Sequence, residues 1–483
     1  MSRVGIRERV LKSACMLIVL AVSTESCVQA EAGPEDMVAI CRDYLTATEE
    51  RKTELSPGIA GYDGDIDAVV EILSRQNRSL QDRVNGELAR QTFTEPGLKA
   101  RYDEDQLHYF VPHTYTGERP FGLLIFMHGG GPTTPRDHPL RIISDPEVDP
   151  QSIGLQSHFR DLPMIVVAPS APWNETTGAR WNVPEADAYI AAVIQECCCR
   201  FNIDTDRVIL GGYSMGGFGA FHLCQRLSDH LAGGFVFSGA WKTTYWPAWT
   251  GLPMFIRHGR HDASPPGEVD KSGRPRFTDV FYSRTADQRL TELDIPHHYV
   301  EDDGGHAIQD APEALAKLTK WAVAQKRNRH PRHVVAVSPR GWRSASDTPT
   351  LHRSWITIHE IGAGEIPFDT VQIEGPRPGW NETAEDFQKQ SLHMKKQPVT
   401  AGLVDARIES DNRIVLQSKN VKLLSIWCDR ELLDFSRPVV LSLNGNETIH
   451  NVRPNLMTAL RSYERWHDWG LVYAAEIEIS CQE

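Results

Sequence analysis

Val208-Ile209-Leu210-Gly211-Gly212-Tyr213-Ser214-Met215-Gly216-Gly217 runs from a buried apolar strand straight into a glycine-flanked serine. The segment behind it, Phe218 to Leu227, reads as helix. Gly212 to Gly216 fits the G-x-S-x-G nucleophile elbow, and the spacing has a chemical reason. A serine hydroxyl attacks only when a base removes its proton, so it must stand exposed on a tight turn. Glycines on either side keep side chains out of that turn. Ser214 then meets the first amides of a helix, which favour developing negative charge. A plain glycine-rich strand-to-helix turn is the competing reading, and the rest of the chain is weighed against it.

A second continuous apolar run, Leu123 to Met127, suits a parallel strand covered on both faces. It ends in His128-Gly129-Gly130-Gly131, a pattern in which the loop after an early strand offers a backbone N–H to an oxyanion. Gly129 and Gly130 are the candidate donors there, with the N–H of Met215 as their partner. An acid and then a histidine should follow the serine. Leu252 to Arg257 reads as a strand, and His258-Gly259-Arg260-His261-Asp262 follows it. Asp262 thus falls where open α/β sheets place their sites, past a strand's C-terminal end. After the short strand Ile295 to Val300 comes the loop Glu301-Asp302-Asp303-Gly304-Gly305-His306, ahead of a last helix, Pro312 to Lys326. Ser214, Asp262 and His306 are 48 and 44 residues apart, room for one strand–helix unit in each gap. Among 19 histidines His306 stands out by position, with His261 and His298 as rivals.

Residues 105 to 325 resemble the α/β-hydrolase superfamily. Within it they are most similar to the esterase group that includes feruloyl esterases and polyhydroxybutyrate-depolymerase-like enzymes, with prolyl-oligopeptidase-type peptidases as near relatives. The resemblance rests on Phe126 to Gly131, Ile203 to Val208, Gly212 to Gly217, His258-Gly259 with Asp262, and Gly304-Gly305-His306. It implies a mostly parallel sheet covered by helices and ester chemistry without a cofactor or metal. It also points to a Trp and an acid one helix before the Ile203 lead-in, here Trp181 with Glu185 or Asp187. Trp181 is read as a pocket wall or as packing, and His128 and Tyr213 as further pocket candidates.

At 483 residues the chain exceeds one typical domain. Forty per cent of its residues are apolar and 24% charged, ordinary for a globular protein, and the net charge of −13 argues against nucleic-acid or anionic-membrane partners. Arg3, Arg7, Arg9 and Lys12 precede an apolar core, Ala14 to Val22, too short to span a bilayer. Val28-Gln29-Ala30 offers a cleavage site, so residues 1–30 read as a signal peptide for secretion or the periplasm; an uncleaved short anchor is the alternative. Thr24 and Glu25 make Cys27 a poor lipoprotein site. Seven cysteines remain after Cys15 and Cys27, an odd number at irregular spacings and no disulfide framework. Cys197-Cys198-Cys199 point in different directions from one helix and do not form a metal site.

Residues 31–104 read as a helical N-terminal segment, with Gln106 to Val111 opening the sheet, and 105–328 as the catalytic domain. Past Gln325 to Pro331 come short strands: Trp355 to Glu360, Thr370 to Glu374, Leu403 to Ser410, Arg413 to Ser418, Val421 to Trp427, Val439 to Leu443 and Leu471 to Ile479. Asp411-Asn412 and Asn444-Gly445 are turn signals between them. Residues 329–483 therefore read as a β-rich accessory domain, a sandwich by pattern. Trp466 and Trp469 are read as packing rather than as a sugar platform. The expected protein is a serine esterase in which Ser214 attacks, His306 is the base and Asp262 orients it. Its substrate is an acyl ester, plant and microbial polymer esters included, and its oligomeric state stays open. A prolyl-oligopeptidase-type peptidase and an inactive binding protein carried by the β domain are the alternatives. Since the catalytic pattern is complete before Gln325, a chain ending near Arg329 is expected to keep activity on small esters.

Overall fold

The computed structural model describes residues 33–76, 84–262, 278–341, 351–375 and 391–481. The leader read at 1–30 lies outside them. Three helices come first: α1 (Pro34–Thr46), α2 (Glu49–Ala60) and α3 (Ile66–Gln76). An eight-stranded sheet follows, built from β1 (Gly86–Gln91), β2 (Leu107–Val111), β3 (Phe121–Met127), β4 (Met164–Pro169), β5 (Ile203–Tyr213), β6 (Gly233–Phe237), β7 (Met254–Gly259) and β8 (His297–Asp302). Its order is β1-β2-β4-β3-β5-β6-β7-β8, antiparallel at β1–β2 and β2–β4 and parallel throughout the rest. Helices α4 (Ala186–Arg200), α5 (Met215–Leu223), α6 (Phe281–Glu292) and α7 (Pro312–Ala324) cover it.

The apolar runs have the cause expected of them. Leu123, Ile125 and Met127 of β3 enter the core on one face, and Leu124 and Phe126 the core on the other. Strand β5 does the same, with Val208 and Leu210 on the first face and Ile209 on the second. A strand buried on both faces has no polar side to alternate with.

The helical N-terminal segment needs a correction. Helices α1–α3 are followed within 31–104 by β1, which opens the sheet ahead of β2, and then by a further short helix, Pro96–Arg101. Gly86-Glu87-Leu88-Ala89-Arg90-Gln91 is an edge strand with one partner, so only Leu88 packs on the core and no apolar pattern marks it. Helices α1–α3 pack instead on a late helix, α8 (Leu456–Trp466), through Met37, Cys41, Ile59, Val69, Leu456 and Leu460.

The C-terminal region is a sandwich of two sheets around one core. Strands β9 (His333–Pro339), β12 (Glu365–Glu374), β13 (Ser391–Ile408), β14 (Arg413–Lys419), β16 (Val439–Leu443) and β17 (Asn446–His450) make one sheet. The other holds β10 (Leu351–Arg353), β11 (Ile356–Ile361), β15 (Val421–Cys428) and β18 (Ala475–Ser480). Ala336, Ile356, Val404, Ile414, Ile426 and Leu441 meet between them. Asn444 and Gly445 both take positive φ, 50° and 88°, the geometry that a two-residue hairpin turn requires.

The two regions are joined by more than a linker. The short strand Thr243–Thr244 pairs with Thr370 and Asp369 of β12, and Ile366, Phe368 and Ala401 complete the hydrophobic core of one face of the parallel sheet. Buried Arg327 bridges Asp206 (3.0 Å) and Asp468 (2.8 Å). Asp229 accepts from Ser354 N (3.1 Å) and Trp466 Nε1 (3.0 Å). Among the described residues no helix is long and apolar enough to cross a membrane, and all seven described cysteines are unpaired.

Candidate active site

Ser214 sits between β5 and α5 with φ 54° and ψ −114°, a strained conformation for a side-chain-bearing residue. The structure around it holds that strain. Ser214 N donates to Phe237 O of β6 at 3.0 Å, and Phe218 N closes on Ser214 O at 3.0 Å. Behind the turn, a Cβ on Gly216 would stand 1.9 Å from Met127 O, so the helix can approach β3 only with glycine there.

The three residues expected to act together converge. His306 Nε2 lies 2.9 Å from Ser214 Oγ, and His306 Nδ1 lies 2.6 Å from Asp262 Oδ2. Because the carboxylate can only accept, Nδ1 carries a proton and Nε2 presents its lone pair to the serine hydroxyl. Asp262 is fully buried, which alone would push its carboxyl up. Hydrogen bonds from His258 and His306 outweigh that burial and bring it down to about 2. The His306 ring rests against Tyr213, with centroids 5.2 Å apart. Arg257, bidentate to Asp302 at 2.7 and 2.5 Å, ties β7 to the end of β8, and Asp302 Oδ1 accepts from Gly304 N at 2.9 Å. This anchors the loop that carries His306.

The rival histidines lie elsewhere. His261 is half exposed, 4.0 Å from Asp303, and His298 packs its ring on Phe255. Asp187 is paired with Arg226, a structural contact, and Glu185 stands at the N-cap of α4 without a capping hydrogen bond.

The loop after β3 is pinned from beneath. Ala171 N donates to His128 Nε2 (3.1 Å), so the proton is on Nδ1, which donates to Gly129 O (2.7 Å). Burial pushes the His128 imidazole down to about 3, keeping it neutral. Trp181 Nε1 donates to His128 O (3.0 Å), and Gly131 N to Thr134 Oγ1 (2.8 Å). With the Gly129 carbonyl drawn inward, a trans peptide turns the Gly130 N–H the opposite way. Gly130 has φ 130°, a conformation that favours glycine. Gly129, Gly130, Tyr213, Ser214 and His306 line one cavity of about 700 Å3, with Ile142 and Ile153 as apolar walls. The Met215 N–H, the first amide of α5, has no acceptor within its helix.

Two pocket candidates are corrected. Trp181 is fully buried and His128 nearly so, and both support the loop from below rather than line the cavity. Tyr213 does line it. The sequence reading missed the role of His258, whose Nε2 is 2.9 Å from Asp262 Oδ2. Its position four residues before the acid was the available signal.

No family model and no curated protein matches this chain. Solved structures similar to it include a thermostable esterase, at 20% identity and a TM-score of 0.38 over 50% of this chain and 63% of that one, less than two thirds of its length. The feruloyl esterase module of Clostridium thermocellum, complexed with sinapinate, is 12% identical with a TM-score of 0.37, over 53% of this chain and 94% of the module. An S-formylglutathione hydrolase from Agrobacterium tumefaciens is 14% identical with a TM-score of 0.33, over 46% and 90%. The α/β-hydrolase fold itself stands on the strand order, the elbow and the order serine, acid, histidine along the chain.

Proposed function

We propose that this protein hydrolyses carboxylic esters through an acyl-enzyme on Ser214. The observation that carries the reading is the hydrogen-bonded relay from Ser214 through His306 to Asp262. Ser214 Oγ attacks the acyl carbonyl as His306 Nε2 takes its proton, and Asp262 stabilises the imidazolium. The N–H groups of Met215 and Gly130 hold the oxyanion; losing one such donor costs about 3 kcal/mol of transition-state stabilisation. His306 then protonates the leaving alkoxide, and the alcohol departs. Water, deprotonated by His306, attacks the acyl-enzyme and releases the carboxylic acid. No step calls for a cofactor.

The same relay cleaves amides, so the choice of ester rests on the sequence resemblance and on the cavity. Among the described residues that line it stands Arg141 and no carboxylate to grip the ammonium end of a peptide. The complete relay weighs against an inactive binding protein. The basic, short-apolar leader supports export.

A panel of chromogenic acyl esters beside aminoacyl anilides tests the reading. Esters should be turned over, and Ser214→Ala should lose their hydrolysis by about three orders of magnitude or more while folding normally. Near wild-type turnover in that variant would overturn the assignment. Preference for the anilides would turn it to a peptidase.

A further inference from the structure

We propose that His258 is a positioning residue for this site, a second imidazole that acts on the reaction through Asp262. The proposal rests on the relay described above and adds a fourth member to it.

His258 lies at the end of β7, with no exposed surface, four residues before the acid. Its Nε2 is 2.7 Å from Thr278 O and 2.9 Å from Asp262 Oδ2. A carbonyl only accepts, so Nε2 carries a proton shared between the two oxygens. The lone pair of Nδ1 then accepts from Ser283 Oγ at 2.7 Å. Every polar atom of the ring is used, and only one tautomer satisfies them all.

Asp262 Oδ2 thus receives two imidazole N–H groups, from His306 at 2.6 Å and from His258 at 2.9 Å, while Oδ1 accepts from Thr278 Oγ1 at 3.1 Å. Two consequences follow. The carboxylate is gripped on both oxygens, so its orientation toward His306 does not depend on His306 itself. The second donor also shares the charge of the oxygen that faces His306. Arg257, next along β7, is taken up by Asp302, and on the α6 side Asp279 accepts from the amide of Phe281.

The test compares His258→Phe, which keeps a ring but no donor, with His258→Gln, whose amide can return an N–H near the position of Nε2. His258→Phe should lower kcat on a small ester about 10- to 100-fold, within the range typical of a mispositioned acid–base pair, with KM changed less than about twofold. Its acid limb in the pH–rate profile should move to higher pH, because the carboxylate that holds the base has lost one of its two imidazole donors. His258→Gln should recover most of kcat and bring the limb back. Ser283→Ala, which removes only the hydroxyl on Nδ1, should move both readouts the same way by less, and it serves if His258→Phe does not fold. Unchanged kcat and an unmoved limb in folded His258→Phe or Ser283→Ala would overturn the proposal. An active Ser214→Ala would instead overturn the reading beneath it, so the two failures are distinguishable.

Discussion

In the parallel sheet the functional side chains come from positions 48 and 44 residues apart, and each arrives by a separate crossover connection. In the C-terminal sandwich neighbouring strands are mostly joined by hairpins such as Asn444-Gly445, and no comparable convergence of acid, base and nucleophile occurs among its described residues. The proposed chemistry therefore belongs to the parallel region. Its core, however, is not closed by its own residues, because Ile366, Phe368 and Ala401 of the sandwich fill one face. A catalytic pattern can be complete at a point in the chain where the fold is not.

The largest effect should fall on the parallel side. His306→Ala removes the only group among the described residues in contact with Ser214 Oγ that can take its proton, and should cut ester kcat by about four orders of magnitude. His261→Ala, in a nearby loop but beside Asp303, should leave kcat within about twofold. Steady-state kinetics on one ester, with circular dichroism to verify folding, checks both. A reversed pattern would put the base in the wrong loop and break the contrast at its root.

What could be read beforehand divides along physical lines. The strands Leu123 to Met127 and Val208 to Tyr213, the elbow and the His306 loop were legible because each is a local pattern with a strong cause. The Asn-Gly hairpin was legible for the same reason, since its backbone requires positive φ at both residues. β1 was not, because an edge strand that buries only Leu88 carries no periodicity. The site's supporting residues were half legible: Trp181 and His128 were singled out, but whether a side chain faces the cavity or the core depends on partners far along the chain. Trp181 reaches His128 O across 53 residues, and Ala171 reaches His128 across 43. The role of His258 is not legible in the sequence, since its hydrogen bonds to Thr278 and Ser283 span 20 and 25 residues. The seam was the least legible of all. Thr243 and Thr244 pair with β12 more than 120 residues later, and no property of two threonines announces it.

The second effect tests the seam. Asp468→Ala leaves Arg327, which is buried, with Asp206 as its remaining buried carboxylate and strips Thr205 Oγ1 of its acceptor. Leaving a buried charge with no partner costs about 3–5 kcal/mol, and because Asp206 remains, the loss should fall below that. Denaturant unfolding should register that loss, while kcat of the folded enzyme on small esters stays near wild type. For the same reason a chain ended after Arg329 should not give a stable enzyme, contrary to the expectation from the catalytic pattern alone. It would bare the Thr243–Thr244 edge and the apolar face that Ile366, Phe368 and Ala401 cover. Full stability in Asp468→Ala, or a well-folded and active truncated chain, would show two independent domains that merely touch.

The smallest effect sharpens the contrast most, because it uses the same substitution on the two sides. Trp181→Phe and Trp466→Phe each delete one buried indole N–H, from His128 O in the first case and from Asp229 Oδ2 in the second. Each leaves an acceptor short of a donor and should cost about 1–3 kcal/mol of stability. Their catalytic consequences should differ. The His128 carbonyl belongs to the loop whose Gly129 peptide is turned by the His128 ring, so loosening it misaims the Gly130 N–H. A partly misaligned donor should lower kcat about 3- to 10-fold with KM little changed, less than the loss from removing a donor outright. Asp229 keeps its bond from Ser354 N and sits at the seam, remote from the cavity that holds Ser214, so Trp466→Phe should leave kcat alone. Equal stability losses with a kcat change in Trp181→Phe only would locate the support of the oxyanion loop in that one hydrogen bond. A kcat change of the same size in both would mean that the sandwich tunes the site through the seam, and that the division between a chemical region and a structural one does not hold.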